Sequence, residues 1–406
     1  MHVKTHAWNL EIKCEKNRER GRFQATPARF LEKMETQIVT PMQNIFPVIL
    51  AGGASSRLWP ASNRERPKWD LRLFKAPGAV KALSLIEGAW DRARAVAPAA
   101  NCIVVCGGEQ APLVRSSLPE LPAENLLVEP MPRDTSGAVA YAAGAILRRL
   151  GGETGNAKMF VLPGDHVISP VDRFTECALA GARAADALDA LVTFGIVARE
   201  ASIAYGYVHR GEEVKLDENR TAPRVFRVKS FKEKPDLATA QGYLASNEYF
   251  WNGGIFIWKL ATLMNEMARQ LPAHHAMAQA LSATTGDTAW LECASTHFPP
   301  LKKISIDFGI MEHAERVATV ASDFNWDDIG SWSAVAPYLD TSVGNAQGPE
   351  TKIVAIDAAK NLVFAPGKRV ALVGVENLAV VVSGNDILIC PLARDQDVKK
   401  VSEAAK

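Results

Sequence analysis

The sequence predicts an α/β protein with a doubly wound, mostly parallel, Rossmann-like sheet and a small C-terminal β domain. Three observations predict this class. Short apolar runs, typical of strands buried on both faces, alternate with longer helical segments. These helical segments are long enough to form right-handed crossovers between parallel strands. From about residue 351 the helical segments disappear, and short β-rich runs alternate with turn signals.

The first predicted strand is FPVILAGG, a continuous apolar run that starts at Phe46 and ends in two glycines. Helical patterns follow at 136–150 and 173–189. Ligands of doubly wound sheets bind at the carboxyl ends of the strands, so we expect functional residues just after each strand. The further predicted strands are CIVVC (102–106), NLLV (125–128), KMFVL (158–162) and LVTFGIV (191–197).

Composition changes divide the chain into parts. Residues 1–44 hold eight Lys/Arg and five Asp/Glu without periodicity, which predicts a mobile N-terminal extension. Residues 45–340 form the predicted main domain. Residues 351–406 form a predicted β-helix-like domain, and TSVGNAQGPE (341–350) is the predicted linker between the two.

Composition also excludes several classes of function. The net charge of +1 gives no reason to expect a nucleic-acid or membrane partner. Six cysteines without a CxxC pair indicate a reduced, cytoplasmic protein, with Cys102 and Cys106 as buried thiols. No apolar run approaches the roughly 20 residues of a membrane helix.

The first chemical motif is GGASSRLWPASNRERPK at 52–68. Gly52 and Gly53 would let backbone N–H groups approach phosphate oxygens, while Arg57 and Lys68 would supply a planar fork and a point charge. A tight turn followed by surface cations would have the same pattern. Neither GxxxxGK[ST] nor GxGxxG is present, which argues against a P-loop NTPase and a dinucleotide-dependent oxidoreductase.

The motifs along the chain resemble those of the sugar-phosphate nucleotidyltransferases. The opening Gly52-Gly53-x-x-x-Arg57 with Leu58-Trp59-Pro60 is similar to the mannose-1-phosphate guanylyltransferase branch of that family. The resemblance covers about 46–402. Further similar stretches are Glu129-Pro130, Arg133-Asp134-Thr135, LPGDH (162–166), FKEKP (231–235), WNGGIF (251–256), Ser305-Ile306-Asp307, WDDIGSW (326–332) and ALVGVENLAVV in the C-terminal part.

The resemblance implies an enzyme that transfers GMP from GTP to mannose 1-phosphate by direct in-line attack, with Mg²⁺ as cofactor, and a possible homodimer. It also implies a set of site residues. The implied catalytic residues are Arg57, Lys68 and Lys234, and the metal ligands are Asp165 and Asp328. Nucleotide binding is implied for Gly52, Gly53, Arg57, Arg133, Asp134 and Thr135, and sugar-phosphate binding for Gly195, Glu233, Lys234 and Asn252.

These roles are physically reasonable, but most of the residues have a plainer alternative. The implied reaction joins two anions, GTP and mannose 1-phosphate, so the site needs cations and a metal held by one or two carboxylates. A strand-end residue such as Asp165 can instead cap a helix or turn. Asp327 competes with Asp328 as ligand, Asn252 can belong to a turn, and Asp134 can be a helix N-cap.

The sequence departs from the family at three places, and other functions stay open. Ser55 stands where a third glycine is usual, Trp69-Asp70 replaces a polar-aromatic pair, and residues 202–204 lack the usual Pro-Glu-Thr-Gly. The alternatives are a transferase for another base or hexose and a regulatory relative that only binds nucleotide sugar. Retention of both aspartates and the three catalytic cations favours catalysis.

Overall fold

The computed structural model describes residues 42–53, 56–74, 82–216 and 221–405. These residues pack as one compact unit. The predicted extension at 1–44 and the departure at Ser55 therefore lie almost entirely outside the described residues. The exception is the end of the extension, where the Met42 N–H donates to the Val96 carbonyl at 3.0 Å. No helix within the described ranges is both long and apolar enough to cross a membrane.

Most strands of the main domain belong to one nine-stranded sheet. The strands of this part of the chain are β1 (Ile45–Ala51), β2 (Arg72–Phe74), β3 (Leu83–Ser84), β4 (Ile103–Gly107), β5 (Leu126–Glu129), β6 (Lys158–Pro163), β7 (Val167–Ser169), β8 (Leu191–Val197), β9 (Tyr207–Val214), β10 (Val225–Lys232), β11 (Tyr249–Lys259), β12 (Val317–Ser322) and β13 (Asn325–Asp327). The order in the large sheet is β5-β4-β1-β6-β11-β8-β12-β10-β9. A two-stranded ribbon pairs β7 with β13, and another pairs β2 with β3.

Helices cover both faces of this sheet. One core contains Ile45 and Ile49 of β1 with residues of the first and fourth helices, and the other contains Phe46 and Val48 with the third, sixth, seventh and eighth. A doubly wound α/β fold is thereby confirmed. The helices are α1 (Leu85–Val96), α2 (Ala111–Ser117), α3 (Asp134–Arg149), α4 (Val171–Leu188), α5 (Leu237–Ser246), α6 (Leu260–Gln270), α7 (Pro272–Ser282), α8 (Asp287–His297), α9 (Trp332–Val335) and α10 (Val398–Ala404).

The sheet is mixed rather than mostly parallel in its pairing. Strands β5, β4, β1 and β6 pair in parallel, as do β8 and β12. Strand β11 lies between these two sets and is antiparallel to both β6 and β8. Strands β9 and β10 extend the far edge in antiparallel pairing. The parallel set that includes β1 keeps the carboxyl ends of β1, β4, β5 and β6 at one edge.

The C-terminal part is built of short coils of parallel strands and ends in one antiparallel strand. The strands are β14 (Ala346–Gln347), β15 (Lys352–Ile356), β16 (Leu362–Phe364), β17 (Arg369–Val373), β18 (Leu378–Ser383) and β19 (Asp386–Pro391). Ala346 pairs with Leu362 and Leu362 with Ala379, while Lys352 pairs with Arg369 in a second sheet. Residues 346–347 of the predicted linker therefore belong to the first coil, because their backbone groups pair with β16.

One hydrophobic cluster joins these coils to the loop that follows β1. Leu58 of that loop, Trp332 of α9 and Phe364 of β16 are all buried in it. The Trp332 indole N–H also donates to the Trp59 carbonyl at 3.2 Å, and its ring centroid lies 5.5 Å from that of Phe364. The C-terminal coils therefore support the loop that carries the candidate phosphate-binding residues.

Candidate active site

The glycine loop begins where β1 ends, at the carboxyl edge of the sheet. Gly52 and Gly53 follow Ala51, and Gly53 has a φ of 86°, a left-handed conformation that favours glycine. No described atom lies within 4 Å of the position that a Cβ would take on either residue. A ligand can therefore approach this backbone closely.

Lys68 links two distant segments at the same edge. Its Nζ lies 2.8 Å from Asp165 Oδ2 and also donates to the backbone carbonyl of Asp328. The neighbouring Trp69 indole N–H donates to the carbonyl of Ala51 at 3.0 Å, which anchors this turn to the end of β1. The Lys68 ammonium is thus buried between the two candidate metal ligands and is not a solvated surface cation.

The ribbon of β7 and β13 explains why Asp165 and Asp328 meet. Val167 pairs with Asp327 and Ile168 with Trp326 in antiparallel register. The pairing brings the turn before β7 next to the turn after β13. Asp165 lies in the first of these turns and Asp328 in the second, so residues far apart in the chain become neighbours.

The structure distinguishes Asp327 from Asp328. Asp327 accepts hydrogen bonds from the Ile329 N–H at 2.7 Å and from the Tyr338 hydroxyl at 3.2 Å, so its carboxylate organises the local turn. Asp328 Oδ1 accepts one from the Tyr205 hydroxyl at 3.0 Å. The Asp328 carboxylate therefore accepts fewer of these hydrogen bonds than that of Asp327, and its role as metal ligand stays a prediction.

Arg57 approaches this centre from the short helical turn after the glycine loop. A Cβ on Gly330 would lie 3.6 Å from Arg57 Nη1 and 3.4 Å from Asp328 Oδ1. Both side chains therefore lie against Gly330, where a Cβ would make ordinary van der Waals contact with them. Arg57 Nη1 also donates to Gln396 Oε1 at 3.5 Å, a contact from the far end of the chain.

These contacts determine the protonation of Asp165 and His166. Burial acts to raise the pKa of Asp165, but the Lys68 ammonium and its hydrogen bond outweigh burial and hold that pKa below its usual value. Burial lowers the pKa of His166 to about 4, so its imidazole is neutral near pH 7. His166 Nδ1 accepts the Trp326 indole N–H at 3.2 Å, which leaves the proton on Nε2.

The candidate sugar pocket contains, besides Glu233, the carboxylate of Asp307, which was not among the implied site residues. Asn252 accepts from the Thr193 hydroxyl at 2.9 Å and donates to Asp307 Oδ1 at 2.8 Å. Burial, and then the charge of Glu233, raise the pKa of Asp307 to about 6. Asn252 is therefore fixed by the core and by Asp307, and is not merely part of a turn.

The other candidate sugar residues differ in how far the structure supports them. Lys234 lies 3.2 Å from Glu233 Oε1, and its side chain is largely exposed. A Cβ on Gly206 would collide with the Glu233 carboxylate, so Gly206 makes room for that side chain. At Gly195 a Cβ would lie 2.7 Å from Thr319 Oγ1, which gives a packing reason for glycine. Direct approach of a sugar to Gly195 stays a prediction.

Two of the three candidate guanine-binding side chains already form hydrogen bonds with backbone groups of the protein. Arg133 donates to the carbonyls of Pro299 and Pro132, and the Thr135 hydroxyl accepts the Ile306 N–H at 2.8 Å. Asp134 is exposed as the first residue of α3, with a φ of 63°. These contacts fasten the start of α3 to the segment 299–306 and give Arg133 and Thr135 a structural role.

A cavity of about 1080 Å³ opens beside the glycine loop. Its walls include Gly52 and Gly53, the turn at Gly107 and Gly108, and the segment from Glu129 to Pro132. Burial, and then the charge of Asp134, raise the pKa of Glu129 to about 7. The cavity extends from the phosphate-loop candidate across the ends of β1, β4 and β5, as a nucleotide site in this fold should.

Sequence reasoning missed several residues that belong to this region. Asp307 and Glu129 lie in stretches quoted for the resemblance, and Tyr205 directly follows the departure at 202–204, but none of the three was among the implied site residues. The available signal for Glu129 was an acidic residue at the end of an apolar strand, just before a proline. Gln396 carried no signal, because only the folded chain brings it to Arg57.

Comparison with known proteins agrees with this arrangement. Residues 46–340 match the family model of Nucleotidyl transferase, and residues 351–404 match that of the MannoseP isomerase/GMP-like beta-helix domain. A solved structure from Thermus thermophilus, named mannose-1-phosphate geranyltransferase, is similar with a TM-score of 0.74 and 29% identity. The similarity covers 89% of this chain and 99% of that one.

Curated relatives are similar over most of the chain. Xanthan biosynthesis protein XanB of Xanthomonas campestris pv. campestris is 34% identical over 370 residues, which is 90% of this chain and 74% of the relative. A mannose-1-phosphate guanylyltransferase of Escherichia coli (strain K12) is 33% identical over 367 residues, which is 89% of this chain and 73% of the relative.

Proposed function

Because the chain belongs to the nucleotidyl transferase family, we propose that it is a mannose-1-phosphate guanylyltransferase. It transfers GMP from GTP to mannose 1-phosphate and releases GDP-mannose and pyrophosphate. The observation that carries the proposal is the Lys68 ammonium, held between Asp165 and Asp328 beside the glycine loop. A site that joins two phosphates needs this combination of a fixed cation and paired carboxylates.

The cations would act at different phosphates. Lys68 keeps its place through the Asp165 carboxylate and the Asp328 carbonyl, and would bind the α-phosphate with its one remaining N–H group. Arg57, beside Asp328, would bind the leaving pyrophosphate with its planar fork. Lys234 is exposed at the sugar side and would bind the phosphate of mannose 1-phosphate. Together they would reduce the repulsion between the two anions and hold them in line.

Asp165 and Asp328 fit a Mg²⁺ ion. Both carboxylates belong to neighbouring turns at one sheet edge, and Lys68 lies against one oxygen of Asp165. Mg²⁺ is commonly held by one or two carboxylates together with substrate phosphates. When bound, it would supply positive charge shared by the two reacting phosphate groups.

The sugar side would orient the second substrate. Glu233 accepts hydrogen bonds from hexose hydroxyls, and Asn252, held by Thr193 and Asp307, can present its remaining amide proton. Because these groups are fixed before the sugar arrives, little ordering is left for the bound state.

A pyrophosphate-release assay tests the proposal. GTP, ATP, UTP and dTTP are each paired with mannose 1-phosphate and with glucose 1-phosphate, with Mg²⁺ and with EDTA. We expect the fastest release from GTP with mannose 1-phosphate, and none in EDTA. Folded protein that releases no pyrophosphate from any pair would instead favour a regulatory, nucleotide-sugar-binding role.

A further inference from the structure

The end of the chain reaches the candidate active site of the main domain. The C-terminal segment, residues 392–405, holds short helical turns and α10 and follows the last strand of the coils. Ser402 and Glu403 of α10 line the same cavity as the glycine loop. Val398 of α10 and Leu58 of the loop after β1 are both buried in the cluster that joins the coils to that loop. The C-terminal segment therefore forms part of the wall of the active site.

A buried carboxylate ties the C-terminal segment to the residues after β13. Asp395 is buried, and its Oδ2 accepts the backbone N–H of Ser333 at 2.7 Å. Ser333 is the second residue of α9, where a backbone N–H has no partner within the helix. The other oxygen of Asp395 accepts from the Gln396 amide at 3.4 Å. Asp395 therefore fixes the start of α9 and restrains the side chain of Gln396.

Gln396 connects this carboxylate to Arg57. Its Oε1 accepts from Arg57 Nη1 at 3.5 Å, while its Nε2 donates to Asp395. The neighbours determine which way the amide points, because a flipped amide would set its NH₂ group against the guanidinium and its oxygen against the carboxylate. The guanidinium has five N–H donors, so this contact leaves others available to a ligand.

Arg57 gains orientation from this contact. It lies in the short helical turn Ser56–Leu58 directly after the glycine loop. An arginine side chain has several rotatable bonds, and ordering it during ligand binding weakens affinity. A partner that holds the planar fork before a phosphate arrives reduces that loss.

We propose that Gln396 is a positioning residue, which orients the Arg57 guanidinium towards the leaving pyrophosphate. The inference rests on the proposed function, in which Arg57 binds that group. Gln396 acts through Arg57, and Asp395 keeps Gln396 in place. The C-terminal segment thereby sets how tightly the site holds the pyrophosphate end of GTP.

A double-mutant cycle between Gln396 and Arg57 tests this role in the full chain. The variants are Gln396→Met, Arg57→Met and the double variant, because Met has a similar length and no hydrogen-bonding group of comparable strength. Gln279→Met is the matched control, at an exposed position of α7. Titration calorimetry with Mg²⁺ measures binding of inorganic pyrophosphate, GTP, GMP and mannose 1-phosphate. Initial rates with GTP and mannose 1-phosphate give kcat and KM.

We expect Gln396→Met to weaken binding of pyrophosphate and GTP by about 3- to 10-fold, as for loss of one long hydrogen bond. Binding of GMP and mannose 1-phosphate should stay within about 2-fold of the wild type, since neither contains the pyrophosphate group. In the Arg57→Met background, Gln396→Met should change pyrophosphate and GTP binding by less than about 2-fold, because its effect passes through Arg57. The KM for mannose 1-phosphate should not change, and Gln279→Met should match the wild type.

An equal effect of Gln396→Met with and without Arg57 would overturn the inference, as would unchanged pyrophosphate binding. Equal weakening of all four ligands would show a general structural role and would also overturn it. Failure of the proposed function has a different result. Folded wild type would then release no pyrophosphate from GTP and mannose 1-phosphate, while the titrations would still report whether Gln396 and Arg57 are coupled. Wild type that binds neither pyrophosphate nor GTP would contradict both.

Discussion

The Lys68 ammonium lies 2.8 Å from the Asp165 carboxylate, and the same ammonium donates to the carbonyl of Asp328. One buried cation therefore holds together a turn after β1, the end of β6 and the end of β13. Because it neutralises a carboxylate and fixes a backbone, its removal should affect both chemistry and stability.

Replacing Lys68 with Met tests this double role. We expect turnover to fall about 100- to 1000-fold, as for loss of one preorganised electrostatic contact in a transition state. The melting temperature should also fall in EDTA, because Asp165 loses its partner, and Mg²⁺ should restore part of it. Lys352→Met, at an exposed position of β15, is the control. Near-normal turnover in Lys68→Met would exclude Lys68 from catalysis.

Substitution of Asp328 should affect mainly activity, and substitution of Asp327 should affect mainly stability. Asp328→Asn should abolish Mg²⁺-dependent turnover and leave the melting temperature close to that of the wild type, because Asn can still accept from Tyr205. Asp327→Ala removes the acceptor of Ile329 and Tyr338, and should cost about 1–3 kcal/mol of unfolding free energy. Urea denaturation and the pyrophosphate assay on both variants provide the comparison. If Asp327→Ala instead abolishes turnover without loss of stability, and Asp328→Asn keeps its turnover, then Asp327 is the metal ligand.

The raised pKa of Asp307 predicts a specific pH dependence of the free energy of unfolding. Its folded pKa is about 6 against an ordinary value of 3.8, so the folded state holds the proton more tightly. Stability contributed by this group is therefore lost as pH rises from about 4 to about 6. Asp307→Asn should be increasingly more stable than the wild type across that window, by about 1–2 kcal/mol at pH 7 after allowance for partial exposure.

Melting curves at several pH values check this prediction, and Asp357→Asn is the control. Asp357 is exposed and has a φ of 49°, a conformation that Asn tolerates. A difference between Asp307→Asn and the wild type that does not change with pH would mean that the Asp307 carboxyl is not perturbed in the folded protein.

Trp332 should couple the loop that follows β1 to the C-terminal coils. Trp332→Ala removes a fully buried indole from their shared core, and should cost about 3–5 kcal/mol. Trp332→Phe should cost less and loses the hydrogen bond to Trp59. Hydrogen exchange should then increase both at 56–60 and at 346–381.

Trp290→Phe is the matched control, because it loses a comparable bond to Tyr141 in a separate hydrophobic cluster. Its exchange should increase around α3 and α8 and not in the loop. Faster exchange confined to the C-terminal coils in Trp332→Ala would show that the loop does not depend on them.

The sequence by itself determined the elements and the edge at which chemistry occurs. FPVILA, KMFVL and LVTFGIV lie in strands, and the patterns at 136–150 and 173–189 match α3 and α4 to within two residues at each end, because local apolar patterns follow the geometry of each element. Placing Gly52 and Asp165 just after strands followed from the rule that strand ends in such sheets face the ligand.

Only the tertiary structure decided how these elements pair and which polar groups are used. A buried strand is apolar whichever way it runs, so the antiparallel β11 had no sequence signal. Only the folded chain shows that the Asp327 carboxylate is engaged by Ile329 and Tyr338, and that Arg133 is engaged by Pro299. Glu129 stands out only once its oxygen is seen buried without a partner, because hydrogen bonding between distant segments is set by three-dimensional contact rather than by spacing along the chain.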